Sequence, residues 1–273
     1  MPYAHRVKGK TDLRDVDSKV DGGMTKEEGE AKTLELGAEF DELQELLYAA
    51  GTHSLMIVLQ GRDTAGKDGA MRSLSRFVSI QGVHVASFKA PTPEELAHDY
   101  LWRIHKHTPA KGQISILNRS HYEDVLIVRV HNFVPEAVWS VRYEQINEFE
   151  ELLAENSTII VKFCLHISKE EQEERLLARE QDIVKAWKLN SGDWKEREFW
   201  DAYTDAYNAA LSKCGPDHAP WYVVPADRKW FRDLAITETL VETLRPYKKG
   251  WMEKLAKIGE TSKAELAEYR KTL

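Results

Sequence analysis

Cysteine is almost missing: Cys164 and Cys214 are the only two in 273 residues, far apart and without histidine partners at metal-like spacing. This excludes a disulfide framework, argues against a structural zinc site and points to a reducing, cytoplasmic setting. Long apolar runs are missing too. No stretch approaches the ~20 residues that a membrane helix requires, and Met1–Lys10 does not resemble a secretory signal, so no membrane partner is expected. Internal repeats and low-complexity segments are absent. Positive charge is in deficit: a net charge of −7 runs against nonspecific nucleic-acid binding, which depends on a broad basic face. A polyanionic ligand would need a local basic groove.

Hydrophobic residues make up 42% of the chain and charged residues 30%, ordinary values for a globular protein, and the length suits one large α/β domain with an inserted lid. The stretch Gln60–Gly69 follows the apolar run Ser54–Leu59 and precedes a helical-looking segment. Gly61 and Gly66 enclose four residues and Lys67 follows, matching G-x-x-x-x-G-K, the loop between strand and helix that cradles phosphate. Glycines let successive N–H groups turn toward an anion, the helix N-terminus adds a positive dipole end, and Lys67 brings a mobile charge. The cradle comprises Gly61, Arg62, Thr64, Ala65, Gly66, Lys67, Asp68 and Gly69. Asp68 stands where the pattern has a hydroxyl for Mg²⁺, so metal must be held differently, with the extra carboxylate Asp63 as the candidate.

Residues 1–32 show no apolar period and read as an arm, with the main domain over 33–273. Leu36, Phe40, Leu43 and Leu47 mark an amphipathic helix that Gly51 ends. Strands are expected near 54, 83, 114, 158 and 221. Helices alternate with them, one over 93–107 opened by the capping box Thr92–Glu95 and another opened by Ser168–Glu171. That alternation predicts an α/β fold with a five-stranded parallel sheet covered on both faces. The strand Ile114–Leu117 ends in Asn118-Arg119-Ser120-His121-Tyr122-Glu123-Asp124. Ligands of open α/β sheets bind beyond the carboxyl ends of the strands, so this cluster and the phosphate loop should face one cavity. The stretch 168–213 holds no strand, presents Arg175 and Arg179 one turn apart, and sits where a mobile lid belongs in a phosphate-loop fold.

G-R-D-T-A-G-K-D-G at 61–69, K-A-P-T-P-E-E-L at 89–96, N-R-S-H-Y-E-D-V at 118–125, W-K-L-N-S-G-D-W at 187–194 and A-P-W-Y-V-V-P-A-D at 219–227 together resemble the polyphosphate kinase 2 family. The resemblance spans about residues 33–246. It implies a three-layer P-loop kinase fold similar to thymidylate kinase, with a helical lid. It also implies Mg²⁺-dependent phosphoryl transfer between inorganic polyphosphate and a nucleotide (AMP, ADP or ATP) in a homo-oligomer. By the same resemblance Asp63 and Lys67 are catalytic, Arg119 is the arginine of the second motif, Arg179 is the lid arginine, and Lys185 and Lys188 line the polyphosphate path. The family often has Asp where this chain has Asn118, which leaves Asp63 as the carboxylate for metal and Asn118 on the nucleotide side.

Asp99 and Arg103 lie on the helix where nucleoside monophosphate kinases hold the acceptor, although such a face also suits solvent; Glu123 is a further candidate to position that nucleotide. Trp187, Trp194 and Trp200 suit lid packing or base stacking. No helical H-x-x-x-H spacing supports a hydrolytic metal centre at His121, Glu123 and Asp124. Competing functions are an ATP-dependent kinase on the same scaffold and a noncatalytic nucleotide switch. The absence of an Asn-Lys-x-Asp guanine-reading motif counts against the switch.

Overall fold

The computed structural model describes residues 3–182 and 191–272. Five strands run parallel: β2 (Ser54–Gly61), β3 (Val83–Ser87), β4 (Ile114–Asn118), β5 (Thr158–His166) and β6 (Trp221–Pro225). The short β1 (His5–Arg6) joins β6 antiparallel, giving the order β1-β6-β5-β2-β4-β3. The five expected strands are present. The sixth corrects the expected count, and it comes from the stretch read as an arm, where two residues are too few to show a period. His5 and Arg6 pair with Val223 and Tyr222, and Ala4, Val7 and Leu13 are buried behind them.

The helices along the first half are α1 (Lys26–Ala50), α2 (Lys67–Leu74), α3 (Pro93–Leu96), α4 (Trp102–His105), α5 (Ile127–Val130) and α6 (Glu136–Trp139). They continue as α7 (Arg142–Glu155), α8 (Lys169–Gln181), α9 (Ser191–Glu196), α10 (Trp200–Lys213), α11 (Lys229–Leu244) and α12 (Lys248–Arg270). Strand alternation divides the core. Leu55, Ile57 and Leu59 of β2 pack with α1, α2 and α11, whereas Met56 and Val58 pack with α7 and α10. Every β2 residue is buried, as expected of a parallel strand covered on both faces. Among the described residues no helix is long and apolar enough to cross a membrane.

Local chemistry sets the helix ends. Thr25 and Glu28 form a reciprocal capping box that starts α1 at Lys26, well before Leu36, and Gly51 closes it at φ 57° by donating to Leu47 O at 3.1 Å. The helix expected over 93–107 is instead two short ones. Its capping box forms, but Asp99 Oδ1 accepts the N–H groups of Leu101 and Trp102 at 3.0 and 3.1 Å and so restarts the chain at α4. At α8 half of the expected box forms: Ser168 Oγ accepts from Glu171 N, but Ser168 N donates to Asp227 and the Glu171 carboxylate pairs with Arg175.

β2 is flanked by β4 on one side and β5 on the other: the chain goes from β2 to β3 and β4 on one side, then crosses to β5 and β6 on the other. A crevice opens beyond the carboxyl ends of strands at such a point.

Candidate active site

At that point the chain turns sharply from β2 into α2. A Cβ on Gly61 would lie 2.8 Å from Leu165 O, and one on Gly66, at φ 102°, would lie 2.2 Å from Arg232 Nη1. Thr64, at φ 64°, holds a left-handed conformation that is strained for a residue with a side chain. The strain is braced from outside the loop. Gln172 Nε2 donates to Asp63 O at 3.0 Å, Arg175 Nη1 to Thr64 O at 2.9 Å and Arg232 Nη1 to Gly66 O at 3.2 Å. Engaging the carbonyls this way biases the loop toward donor character, which suits an anion.

Lys67 is folded back on this loop, donating to Gly61 O at 2.6 Å and Arg62 O at 3.1 Å. Burial, reinforced by the charge of Arg119, lowers its pKa to about 8. Arg62 follows a different course. Its side chain stacks on Trp200, 3.7 Å from the ring centre, and donates to Trp200 O at 2.9 Å, so its guanidinium is turned to the α10 side.

The second cluster arrives on the adjacent strand. Arg119 N donates to Leu59 O at 3.0 Å, and Arg119 sits at φ 63°, a second strained residue at the same crevice. Its guanidinium joins the two motifs, with Nη2 donating to Asp63 Oδ1 at 2.6 Å and Nη1 to Glu123 Oε2 at 3.1 Å. Burial works against that charge, yet Glu123 and Asp63 outweigh it and raise the Arg119 pKa above its ordinary value. Asn118 Nδ2 donates to Asp68 Oδ1 at 3.0 Å. Asn118 Oδ1 and Thr64 Oγ1 are buried without a hydrogen-bond partner.

Two spaces meet at Arg119 and Glu123. A cavity of about 880 Å³ is lined by Asp99, Arg103, Asn118, Arg119, Glu123 and Asp124, so all four residues expected beside the nucleotide share one wall system. Arg103 is tied there to Lys89 O at 2.9 Å. Burial lifts the Asp124 carboxyl to about 6 despite Arg142 at 2.8 Å. On the other side a narrower cleft is lined by Gly61, Arg62, Asp63 and Gln172, with Trp200 and Tyr207 opposite. Arg179 donates to Asp193 Oδ2 at 2.8 Å. Burial raises the Asp193 pKa, and Asp63 lies near enough for its charge to push the same way. Lys185 and Lys188 lie outside the described residues, as does Trp187.

The chain matches the family model described as Polyphosphate kinase 2 (PPK2) over residues 23–250. It belongs to the polyphosphate kinase 2 family. It is 51% identical to an AMP/ADP-polyphosphate phosphotransferase from Meiothermus ruber over 209 residues, covering 77% of this chain and 78% of that one. It is 41% identical to an ADP-polyphosphate phosphotransferase from Rhodopseudomonas palustris, covering 89% of each. The crystal structure of polyphosphate kinase 2 from Arthrobacter aurescens TC1 superposes with a TM-score of 0.85 at 44% identity, covering 88% of this chain and 87% of that one. The fold is therefore the P-loop kinase fold of polyphosphate kinase 2 structures.

Within that family frame, sequence reasoning missed residues that brace the site. Arg175, noted only as lying one turn from Arg179, donates to Thr64 O, Ala226 O and Asp227 O. Arg232 lies inside a helical apolar pattern and gives no sequence signal. Beneath the second motif, Lys162 of β5 pairs with Glu150 and donates to Tyr122 Oη at 2.8 Å and Cys214 O at 2.7 Å. Glu150 also accepts from Tyr122 Oη at 3.0 Å and lies 3.1 Å from His121 Nε2. His121 is thus a buried support. Lys162 was detectable: a lysine between Val161 and Phe163 in a strand buried on both faces requires a buried partner.

Proposed function

We propose that this polyphosphate kinase 2 chain transfers a phosphoryl group from inorganic polyphosphate to AMP or ADP, with both acceptors open. The observation that carries the reading is the place of Arg119, at the seam between the phosphate-loop cleft and the large cavity, bound to one carboxylate from each motif. The cavity suits a nucleotide acceptor, and the phosphate loop with Lys67 suits the phosphate chain. A terminal phosphate oxygen of the acceptor, already anionic, attacks the terminal phosphorus of the chain; the bridging P–O bond breaks and the shortened chain leaves as an anion. No strong base is required.

Catalysis is then alignment and neutralisation. Lys67 exchanges its two carbonyl partners for phosphate oxygens, and Arg119 faces the transferring group from the acceptor side. Arg179 is the proposed third cation, brought by a lid over 168–213 of a domain running 33–273 behind an arm over 1–32. The donor set fits Mg²⁺: Asp63 would hold it, with Asp68 and the unpartnered Asn118 Oδ1 as further oxygen atoms nearby. Hard cations of this kind take one or two carboxylates and complete their shell with substrate phosphates and water. The bound ion would supply charge neutralisation on the phosphates. Lys185 and Lys188 are retained as proposed contacts to the chain, and Asp99, Arg103, Asn118 and Glu123 as acceptor-side residues. A homo-oligomer in a reducing cytoplasm is part of the same proposal.

The test is purified protein with Mg²⁺ and long-chain polyphosphate, offered AMP and ADP separately, with product nucleotide and chain length both followed. Turnover with ATP as donor and none with polyphosphate overturns the reading in favour of an ATP-dependent kinase.

A further inference from the structure

Gln60, the residue before the first glycine of the loop, is fully buried, and so nearly is Ser120, the residue after Arg119. A buried amide must meet both its donors and its acceptor with matching partners. Ser120 N can only donate and the Glu123 carboxylate can only accept, which fixes the amide's orientation. Its oxygen accepts from Ser120 N and Ser120 Oγ, both at 3.1 Å, and its nitrogen donates to Glu123 Oε1 at 3.0 Å. Ser120 Oγ in turn accepts from Tyr122 N at 3.2 Å. Both oxygens of Glu123 are therefore engaged, Oε1 by Gln60 and Oε2 by Arg119.

These contacts form a ring across two strands. Gln60 and Asp63 stand on the β2 side, Glu123 and Arg119 on the β4 side, and each side holds the other twice. The two links would fare differently with a cation on Asp63, because that carboxylate would no longer serve Arg119 alone, and Arg119 would then be oriented by Glu123, whose direction Gln60 sets.

We infer that Gln60 is a positioning residue for phosphoryl transfer: by fixing the Glu123 carboxylate it aims the Arg119 guanidinium at the transferring group. The inference rests on the function proposed above for Arg119 and Asp63. It makes Glu123 a holder of Arg119, in addition to a lining residue of the acceptor cavity. A hydrocarbon side chain of equal size would fill the same space but offer Glu123 no donor.

The decisive comparison uses Gln60→Met and Gln60→Glu beside the wild type, with kcat and nucleotide KM measured from pH 6 to pH 8.5. Gln60→Met should lose about tenfold in kcat at every pH relative to the wild type, with KM changed by less than about twofold, the signature of an interaction that matters in the transition state. Gln60→Glu should show the same loss at pH 8 but recover toward wild type as pH falls to 6. Two carboxylates about 3 Å apart share a proton, and a protonated carboxyl donates to Glu123 as the amide does. In a Glu123→Ala background, Gln60→Met should add no further loss.

A kcat for Gln60→Met within about twofold of wild type overturns the inference, as does an equal, pH-independent loss in both variants that follows a fall in Tm. If Gln60→Met does not fold, the pH profile of Gln60→Glu decides alone. Should the wild type use ATP and not polyphosphate, the proposed function fails, while the same comparison run with ATP still decides the role of Gln60.

Discussion

Arg119 Nη2 lies 2.6 Å from Asp63 Oδ1, so the carboxylate proposed to hold the metal is also the partner of a guanidinium. The two cations compete for one anion. Arg119→Ala should therefore raise the affinity of the nucleotide-free enzyme for a divalent probe by about tenfold, while turnover falls by about two to three powers of ten as a preorganised charge is lost. Titration of Mn²⁺ by electron paramagnetic resonance reads the first effect. An unchanged or weaker Mn²⁺ affinity removes the competition.

Lys67 gives a pH dependence with a definite sign. Burial lowers its pKa to about 8, so the free enzyme loses this charge as pH rises through that value. A neutral lysine cannot attract phosphate, and kcat/KM for polyphosphate should decline above about pH 8. Bound phosphates favour the charged form, so the decline in kcat should lie at higher pH. A kcat/KM that stays flat to pH 9.5 contradicts this account.

Gly66→Ala should disable donor binding. The new Cβ would lie 2.2 Å from Arg232 Nη1, and the φ of 102° is one that alanine rarely adopts. Arg232 cannot swing aside cheaply, because it is 3% exposed and also holds Asp233. We expect a loss of about 1–3 kcal/mol in stability and a sharply raised KM for polyphosphate, checked by urea unfolding and steady-state kinetics.

Lys162→Met should be among the most damaging substitutions away from the crevice. It strands the Glu150 carboxylate in a fully buried setting, a change that typically costs about 3–5 kcal/mol. Denaturant unfolding measures it directly; a cost below about 1 kcal/mol would show that Tyr122 and His121 suffice to hold Glu150.

How much of this was legible in the chain depends on the kind of constraint each residue answers. The glycine spacing around Lys67 is dictated by backbone geometry, so the loop, its flanking strand and its helix were readable together. The parallel sheet followed from apolar runs long enough to bury on both faces. Arg119 and Glu123 could be placed at the correct end of β4, but not their bonds, because spacing says where a side chain starts and not which charge it reaches. Gln60 could be read as the first residue of the loop stretch but not given a role of its own, because the spacing of the glycines says nothing of which groups one amide reaches. The helix break at Asp99 was hidden because the capping box at Thr92 signals a start and carries no information about length.

The two-residue β1 has a consequence for assembly. It covers part of the β6 edge and presents an outer edge only two residues long, a poor template for another strand. At the far side, among the described residues, β3 pairs only with β4 and leaves His84 and Val85 exposed. Among the described residues β3 is thus the one longer open edge, and strand pairing between two copies across it would use up that edge in each, which works against open-ended growth.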